Sequence, residues 1–204
     1  MRLTAEDLAG ERGGEEIFSG VSFSLDSGQC LIVTGENGAG KSTLLRIVAG
    51  LLPPAGGSVS FEGGGEDWPD VQSSSHFLGE KNAMKAALTV ADNLKFRQDF
   101  LGHPFHSVEE ALEAIDLPTV ANLPFGYLST GQRRRVAIAG LLVSYRPVWL
   151  LDEPTAGLDL GSERRFADLM RGHLEDGGII IAATHVELGI DDAKELEMGA
   201  SNVA

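Results

Sequence analysis

The stretch from Leu31 to Ala49 constrains this chain more than any other. It opens on an apolar run, Leu31-Ile32-Val33-Thr34, and passes through Gly35-Glu36-Asn37-Gly38-Ala39-Gly40-Lys41-Ser42-Thr43. A helical pattern follows, Leu44-Leu45-Arg46-Ile47-Val48-Ala49. A strand, a glycine-rich turn and a helix in that order form the context a phosphate-binding loop requires. Glycines at 35, 38 and 40 let the backbone turn tightly and aim successive N–H groups inward. The helix adds its positive dipole end at the same point. Lys41 offers a point charge to β- and γ-phosphates, and the Ser42 hydroxyl suits Mg²⁺. A glycine-rich turn that merely precedes a helix would not need all of these positions together. Residues 35–43 therefore predict a nucleoside triphosphate site.

The chain has 204 residues, enough for one domain with an inserted lobe and a real core. A net charge of −14 argues against sequence-independent binding to DNA or RNA, which needs a basic surface. It does not argue against ATP, which meets a small local field of N–H groups, Lys41 and Mg²⁺. The single cysteine, Cys30, excludes an internal disulfide framework and any multi-cysteine metal site. At the start of the apolar strand it reads as a buried structural thiol. No run approaches the ~18 apolar residues of a spanning helix, and the N-terminus lacks a signal-peptide layout. The expectation is a cytoplasmic protein that something else must hold at any membrane where it works.

Taken in order, Ile17-Phe18 and Val21-Ser22-Phe23-Ser24-Leu25 alternate like half-buried strands. Arg12 lies in a glycine-rich connection, Gly10 to Gly14, and Asp26-Ser27-Gly28-Gln29 is a turn. Gly50-Leu51-Leu52-Pro53-Pro54 stops the first helix. Ser58 to Phe61 alternates as a strand, 63–75 reads as a polar loop, and His76-Phe77-Leu78 resumes a strand. From about residue 80 the pattern turns helical, through Val90 to Phe100, a capping box at Ser107 and Glu110, and a long run after Gly131 that Pro147 breaks. Strand and helix then alternate again: Val148 to Leu151, a helix around Gly161 to Glu175, and Ile179 to Thr184. The expected fold is α/β, with a nucleotide-binding core (1–79 and 146–204) into which a helical lobe (80–145) is inserted.

Two further constellations carry chemistry. Val148-Trp149-Leu150-Leu151 is an apolar strand ending in Asp152 and Glu153. Ligands bind at the carboxyl ends of parallel strands, and successive strand side chains point to opposite faces. Asp152 suits the Mg²⁺ shell and Glu153 suits a general base on water. Upstream, Leu128-Ser129-Thr130-Gly131-Gln132 opens a helix with a hydroxyl and a glycine, a second anion-binding N-terminus. In so acidic a chain, the following Arg133-Arg134-Arg135 reads as a solvated helix face or a phosphate-facing turn rather than a nucleic-acid patch.

In this order the pieces resemble the ATP-binding subunits of ABC transporters, over nearly the whole chain. Gly35 to Thr43 matches the Walker A loop, Leu128 to Gln132 the signature motif and Val148 to Glu153 the Walker B strand. Ala156-Gly157-Leu158-Asp159 matches the D-loop, and His185 the switch histidine. The resemblance implies a P-loop ABC-type domain with an antiparallel β subdomain and a helical lobe. It also implies ATP and Mg²⁺ as cofactors and an ATP-dependent head-to-tail homodimer. Each ATP would touch Lys41 and Glu153 of one chain and Ser129 of the other, with Thr130, Gly131 and Gln132 beside it. Membrane subunits would hold the pair on the cytoplasmic face of the cell membrane.

Departures from the family narrow the resemblance. Residues 1–16 hold no aromatic to stack on adenine; Arg12, or else Phe18, is expected near the base. Where a glutamine usually enters the helical lobe, Glu80 and Lys81 stand instead, and Gln72 lies too early. Thr130 replaces a usual glycine. The flanks, Glu11-Arg12 before Ile17 to Phe23 and Phe77-Leu78-Gly79 leading to Leu88 through Leu94, are similar to the ATP-binding subunits of bacterial cytochrome c maturation. That resemblance implies a role in releasing haem to apocytochrome c. An ATPase of a small lipid or drug exporter is the rival within the class. A soluble ATPase acting on nucleic acid or ribosomes is the rival outside it, and a binding-only module with a dead site is a third. The apolar tip at Ala83, Met84, Ala86, Ala87 and Leu88 suits a membrane-partner contact.

Overall fold

In the computed structural model, residues 1–199 are described. The chain forms two compact units. The first comprises Met1–Gly79, Pro147–Pro154 and the chain from Met170 on; the second comprises Glu80–Arg146 and Thr155–Leu169.

The first unit holds two sheets. β1 (Arg2–Arg12), β2 (Glu15–Asp26) and β4 (Gly56–Glu62) make an antiparallel sheet in the order β2-β1-β4. Arg12 belongs to β1 itself, not to the glycine-rich connection expected from sequence. Only Gly13 and Gly14 turn, at φ 64 and 87, the paired positive values of a two-residue hairpin turn. The second sheet is parallel, in the order β5-β6-β7-β3-β8. Its strands are β3 (Cys30–Gly35), β5 (Ser75–Leu78), β6 (Val148–Asp152), β7 (Ile179–Ala183) and β8 (Lys194–Met198). β6 and β7 are buried at every position, as apolar strands covered on both faces must be. α1 (Lys41–Val48) contributes Leu44, Leu45 and Ile47 to a core shared with Leu3 of β1, Val33 of β3 and Leu150 of β6. Within the expected loop 63–75 the structure has a short helix, α2 (Val71–Ser74). Asp70 accepts from Ser73 N–H at 2.7 Å and caps it. The Gln72 amide on α2 donates to Gly50 O at 3.1 Å.

The second unit is helical: α3 (Val90–Leu101), α4 (Val108–Ala114), α5 (Thr130–Leu142) and the beginning of α6 (Leu160–Glu175). Thr89 and Ser107 cap α3 and α4 by accepting from Asp92 and Glu110 N–H. Met84 is half-buried and turns its methyl toward Gly140 of α5, so it packs within its own unit. Leu88 beside it is 39% exposed. No helix among the described residues is long and apolar enough to cross a membrane.

Candidate nucleotide site

The loop between β3 and α1 is shaped by what lies against it. Gly35 has φ +132, and a Cβ there would fall 2.2 Å from the Met198 carbonyl oxygen of β8. A Cβ on Gly40, at φ +96, would meet Phe18 Cδ1 at 2.8 Å and Ile17 Cγ2 at 2.9 Å. Glycine is required by β8 on one side and by the β1–β2 hairpin on the other. The loop closes through Ala39 N–H to Glu36 O at 3.2 Å and leads into α1 through Leu44 N–H to Gly40 O at 2.8 Å. Gly40 caps α1 without a side-chain bond, so no side chain competes for the first N–H groups of the helix, as an anion site requires.

Lys41 is only 8% exposed. Its Nζ donates to Gly35 O at 2.7 Å and Glu36 O at 3.1 Å, and lies 3.1 Å from His185 Nε2. Three ammonium protons thus meet three acceptors when the imidazole is neutral with its proton on Nδ1. The same Nε2 lies 3.2 Å from Asn37 Oδ1 and 3.6 Å from Glu153 Oε1.

Ser42 Oγ donates to Asp152 Oδ1 at 2.9 Å. Asp152 ends β6 and is 4% exposed. Glu153, the next residue, has φ +45, a left-handed backbone that costs a glutamate about 1–3 kcal/mol. Its N–H is held by Ala183 O of β7 at 2.9 Å, and its side chain is 37% exposed. Adjacent carboxylates thus occupy different surroundings, one sealed against a hydroxyl and one facing an open cleft. That cleft measures about 250 Å³ and is lined by Arg12, Ile17, Lys41, Ser42, Thr43 and Glu153, among others. Arg12 reaches it; Phe18 does not line it and packs instead against Gly10 and the core.

In the second unit Ser129 caps α5. Its Oγ accepts from Gln132 N–H at 3.2 Å, and Gln132 Oε1 accepts from Ser129 N–H at 2.9 Å. Ser129 and Gln132 are therefore the two ends of a capping box, while Thr130 is exposed. Gly131 approaches Gly157 closely: a Cβ on it would stand 3.1 Å from Gly157 O. Asp159 accepts from Ser162 N–H at 2.8 Å at the start of α6, and this backbone bond holds its carboxyl below the usual carboxylate range. The three arginines after the signature do not form a solvated helix face. Arg133 donates to Gly126 O, Arg134 (4% exposed) lies 3.4 Å from Asn82 Oδ1, and Arg135 donates to Asp116 O at 3.2 Å. Acceptors brought by the fold take up charges that sequence alone assigned to water.

A glycine-rich loop on a parallel strand, carboxylates ending the neighbouring strand but one, and a helical unit opened by a capped serine define an ATP-binding cassette. The pattern of the ABC transporter family matches residues 18–156. The chain is 64% identical over 202 residues to the cytochrome c biogenesis ATP-binding export protein CcmA of Chelativorans sp. (strain BNC1), covering 99% of this chain and 100% of that protein. Its fold matches an ATP-binding protein of a putative ABC transporter from Pyrococcus furiosus with a TM-score of 0.83 at 24% identity, covering 97% and 98% of the two chains. It also matches the ATP-binding cassette MJ0796, a dimer in a post-hydrolysis state bound to ADP and Pi (TM-score 0.77, 25% identity, 90% of this chain and 88% of that one). The chain belongs to the ABC transporter family and, within it, to the cytochrome c biogenesis ATP-binding export proteins. It is a nucleotide-binding ABC ATPase, of a family whose members dimerise and work with membrane subunits.

Proposed function

We propose that this chain hydrolyses ATP as the peripheral subunit of a membrane complex in cytochrome c maturation, where hydrolysis drives haem release to apocytochrome c. Full-length identity of 64% to a CcmA protein supports the pathway. The observation that carries the chemistry is that His185 Nε2 stands 3.1 Å from Lys41 Nζ and 3.6 Å from Glu153 Oε1, at the edge of the cleft those two residues line.

In this reading the N–H groups of Gly35 to Thr43 and the Lys41 ammonium hold the β- and γ-phosphates, and Arg12 lies against the base. Glu153 takes the proton of the attacking water, and His185 steadies the γ-phosphate while bridging Lys41 and Glu153. Mg²⁺ fits the donor set. Ser42 Oγ and Asp152 Oδ1, 2.9 Å apart, are hard oxygen donors that would hold it, and bound there it would neutralise charge developing on the γ-phosphate. Two chains pair head to tail, so that Ser129, Thr130, Gly131 and Gln132 of the partner meet the γ-phosphate. Asp159 lies at the same junction. Membrane subunits hold the pair at the cytoplasmic face of the cell membrane, and no nucleic acid is involved.

The test is replacement in a cytochrome c-producing host. Lys41→Ala should abolish ATP binding, while Glu153→Gln should bind ATP but stall as a dimer; both should stop c-type cytochrome formation. Normal cytochrome c with Lys41→Ala would refute the pathway. Wild-type ATPase rates with Glu153→Gln would refute the base.

A further inference from the structure

Tyr127 is the most exposed large hydrophobic residue among those described, at 83%, yet it stands on one of the better-fixed turns of the helical unit. Phe125–Tyr127 form a 3-10 turn. Phe125 is 5% exposed, with its N–H on Leu88 O at 2.9 Å. Gly126 N–H donates to Ala86 O at 2.9 Å and Tyr127 N–H to Pro124 O at 2.9 Å. Arg133 holds the Gly126 carbonyl from α5. Leu128, next in the chain, is 4% exposed. Burial on either side of Tyr127 and bonds through its backbone fix where the ring leaves the surface. A rigid backbone that projects an aromatic ring into water is organised for a ligand or partner, because the ordering entropy is already spent.

The cleft of the first unit has the complementary deficiency. Arg12 and Ile17 line it, no aromatic ring does, and Phe18 is half-buried against Gly10, Gly40 and the edge of the core. A guanidinium can cover one face of a base; the other face has no planar partner in the same chain among the residues lining the cleft.

We propose that Tyr127 supplies that face in trans, stacking on the base of the nucleotide bound by the partner chain. The inference rests on the head-to-tail pairing proposed above, in which Ser129 meets the partner's γ-phosphate. Leu128 and Ser129 are extended, with φ −73, ψ 149 and φ −64, ψ 165, so the Tyr127 and Ser129 Cα atoms stand about 7 Å apart. With the length of a tyrosine side chain added, that reach is comparable to the span of a triphosphate from its γ-phosphate to its base, which is the distance the stacking requires. The base would then lie between Arg12 of one chain and the Tyr127 ring of the other. Nucleotide would be gripped fully only after the chains meet, which ties affinity to dimer formation.

Stacking a base on an aromatic ring is sequence-tolerant and is lost on replacement by alanine. The full-length chain in a Glu153→Gln background is titrated with ATP, and dimer is followed by light scattering. Tyr127→Ala should raise the ATP concentration giving half-maximal dimer about tenfold, while Tyr127→Phe and Tyr127→Trp should stay near the parent. Nucleotide affinity of the single chain, measured below the dimerising concentration, should not change. A mixture supplies the sharper arm. The chain with Lys41→Ala cannot hold ATP but keeps Tyr127, so mixing it with the Tyr127→Ala chain rebuilds one complete site. Dimer should then form again at low ATP. An unchanged midpoint with Tyr127→Ala, loss that Phe and Trp fail to rescue, or no recovery in the mixture would each overturn the stacking. Failure of the Glu153→Gln chain to dimerise at any ATP concentration would remove the pairing itself, and the stacking with it.

Discussion

Acid should destabilise this protein through one histidine that takes no part in the chemistry. His173 of α6 lies flat on Trp149 of β6, ring centroids 4.1 Å apart and planes 12° from parallel. It is 8% exposed, and its Nε2 has no hydrogen-bond partner. Gly178 makes room for the ring, since a Cβ there would stand 2.2 Å from Nε2. Burial pushes the imidazolium down from 6.5 to about 4, against the opposing pull of the Pro147 backbone and Asp176. The folded-state value lies below the unfolded one, so the unfolded chain takes up the proton first as pH falls. The neutral ring's contribution is therefore whole above about pH 6.5 and is lost on descent toward pH 4. The gap between 6.5 and about 4, at ~1.36 kcal/mol per pH unit, amounts to about 3 kcal/mol. Of that, roughly 1 kcal/mol disappears between pH 7.5 and 5.5. Urea unfolding of the wild type and of His173→Phe at those two pH values isolates the effect. Phenylalanine keeps the stack and cannot titrate, while carboxylate contributions are common to both proteins. The wild type should lose about 1 kcal/mol more than the variant across the interval. Equal losses would show that the ring takes up its proton in the folded chain as readily as in the unfolded one.

Two further outcomes follow from the site. Arg12→Ala should weaken ATP binding about fivefold, because a cation stacked at a partly exposed site contributes ~1 kcal/mol; an unchanged dissociation constant, read by calorimetry, would return Arg12 to the solvent. Gly35→Ala should lower Tm by roughly 5–10 °C and abolish nucleotide binding, since its Cβ would collide with the Met198 carbonyl and its φ would be strained; a wild-type melting curve would mean that β8 can withdraw without cost.

Features set by spacing were readable from the chain, and features set by distant partners were not. The helix and strand around the phosphate loop follow from glycine positions and apolar runs, and they stand where the pattern put them. β8 was missed although Lys194-Glu195-Leu196-Glu197-Met198 alternates with period two, a signal short enough to pass as a loop. The need for glycine at 35 could be read, but as a turn; the carbonyl of Met198 that also demands it is 163 residues further along the chain. Arg133, Arg134 and Arg135 were misread for the same reason. A charge pattern reports the sign of a side chain, not whether Gly126, Asn82 or Asp116 will be present to receive it.

The order of the strands is the deepest of these hidden facts, and it assembles the site. β6, β7 and β3 are consecutive neighbours, with Asp152 beside Ala183 and Ala183 beside Val33 in the ladder. Each strand ends in a residue type that can be read from sequence: carboxylates after β6, a histidine after β7, the phosphate loop after β3. Only their adjacency brings His185 within 3.1 Å of Lys41, 144 residues away, and puts the β7 carbonyl of Ala183 under the Glu153 N–H. That last bond also helps explain how a glutamate tolerates φ +45. The strain is local to Glu153, but its support comes from a strand that follows it by some thirty residues. Parallel pairing thus does two things at once at the carboxyl edge of the sheet. It collects the charged groups around the cleft, and it fixes the backbone that turns Glu153 away from the buried Asp152.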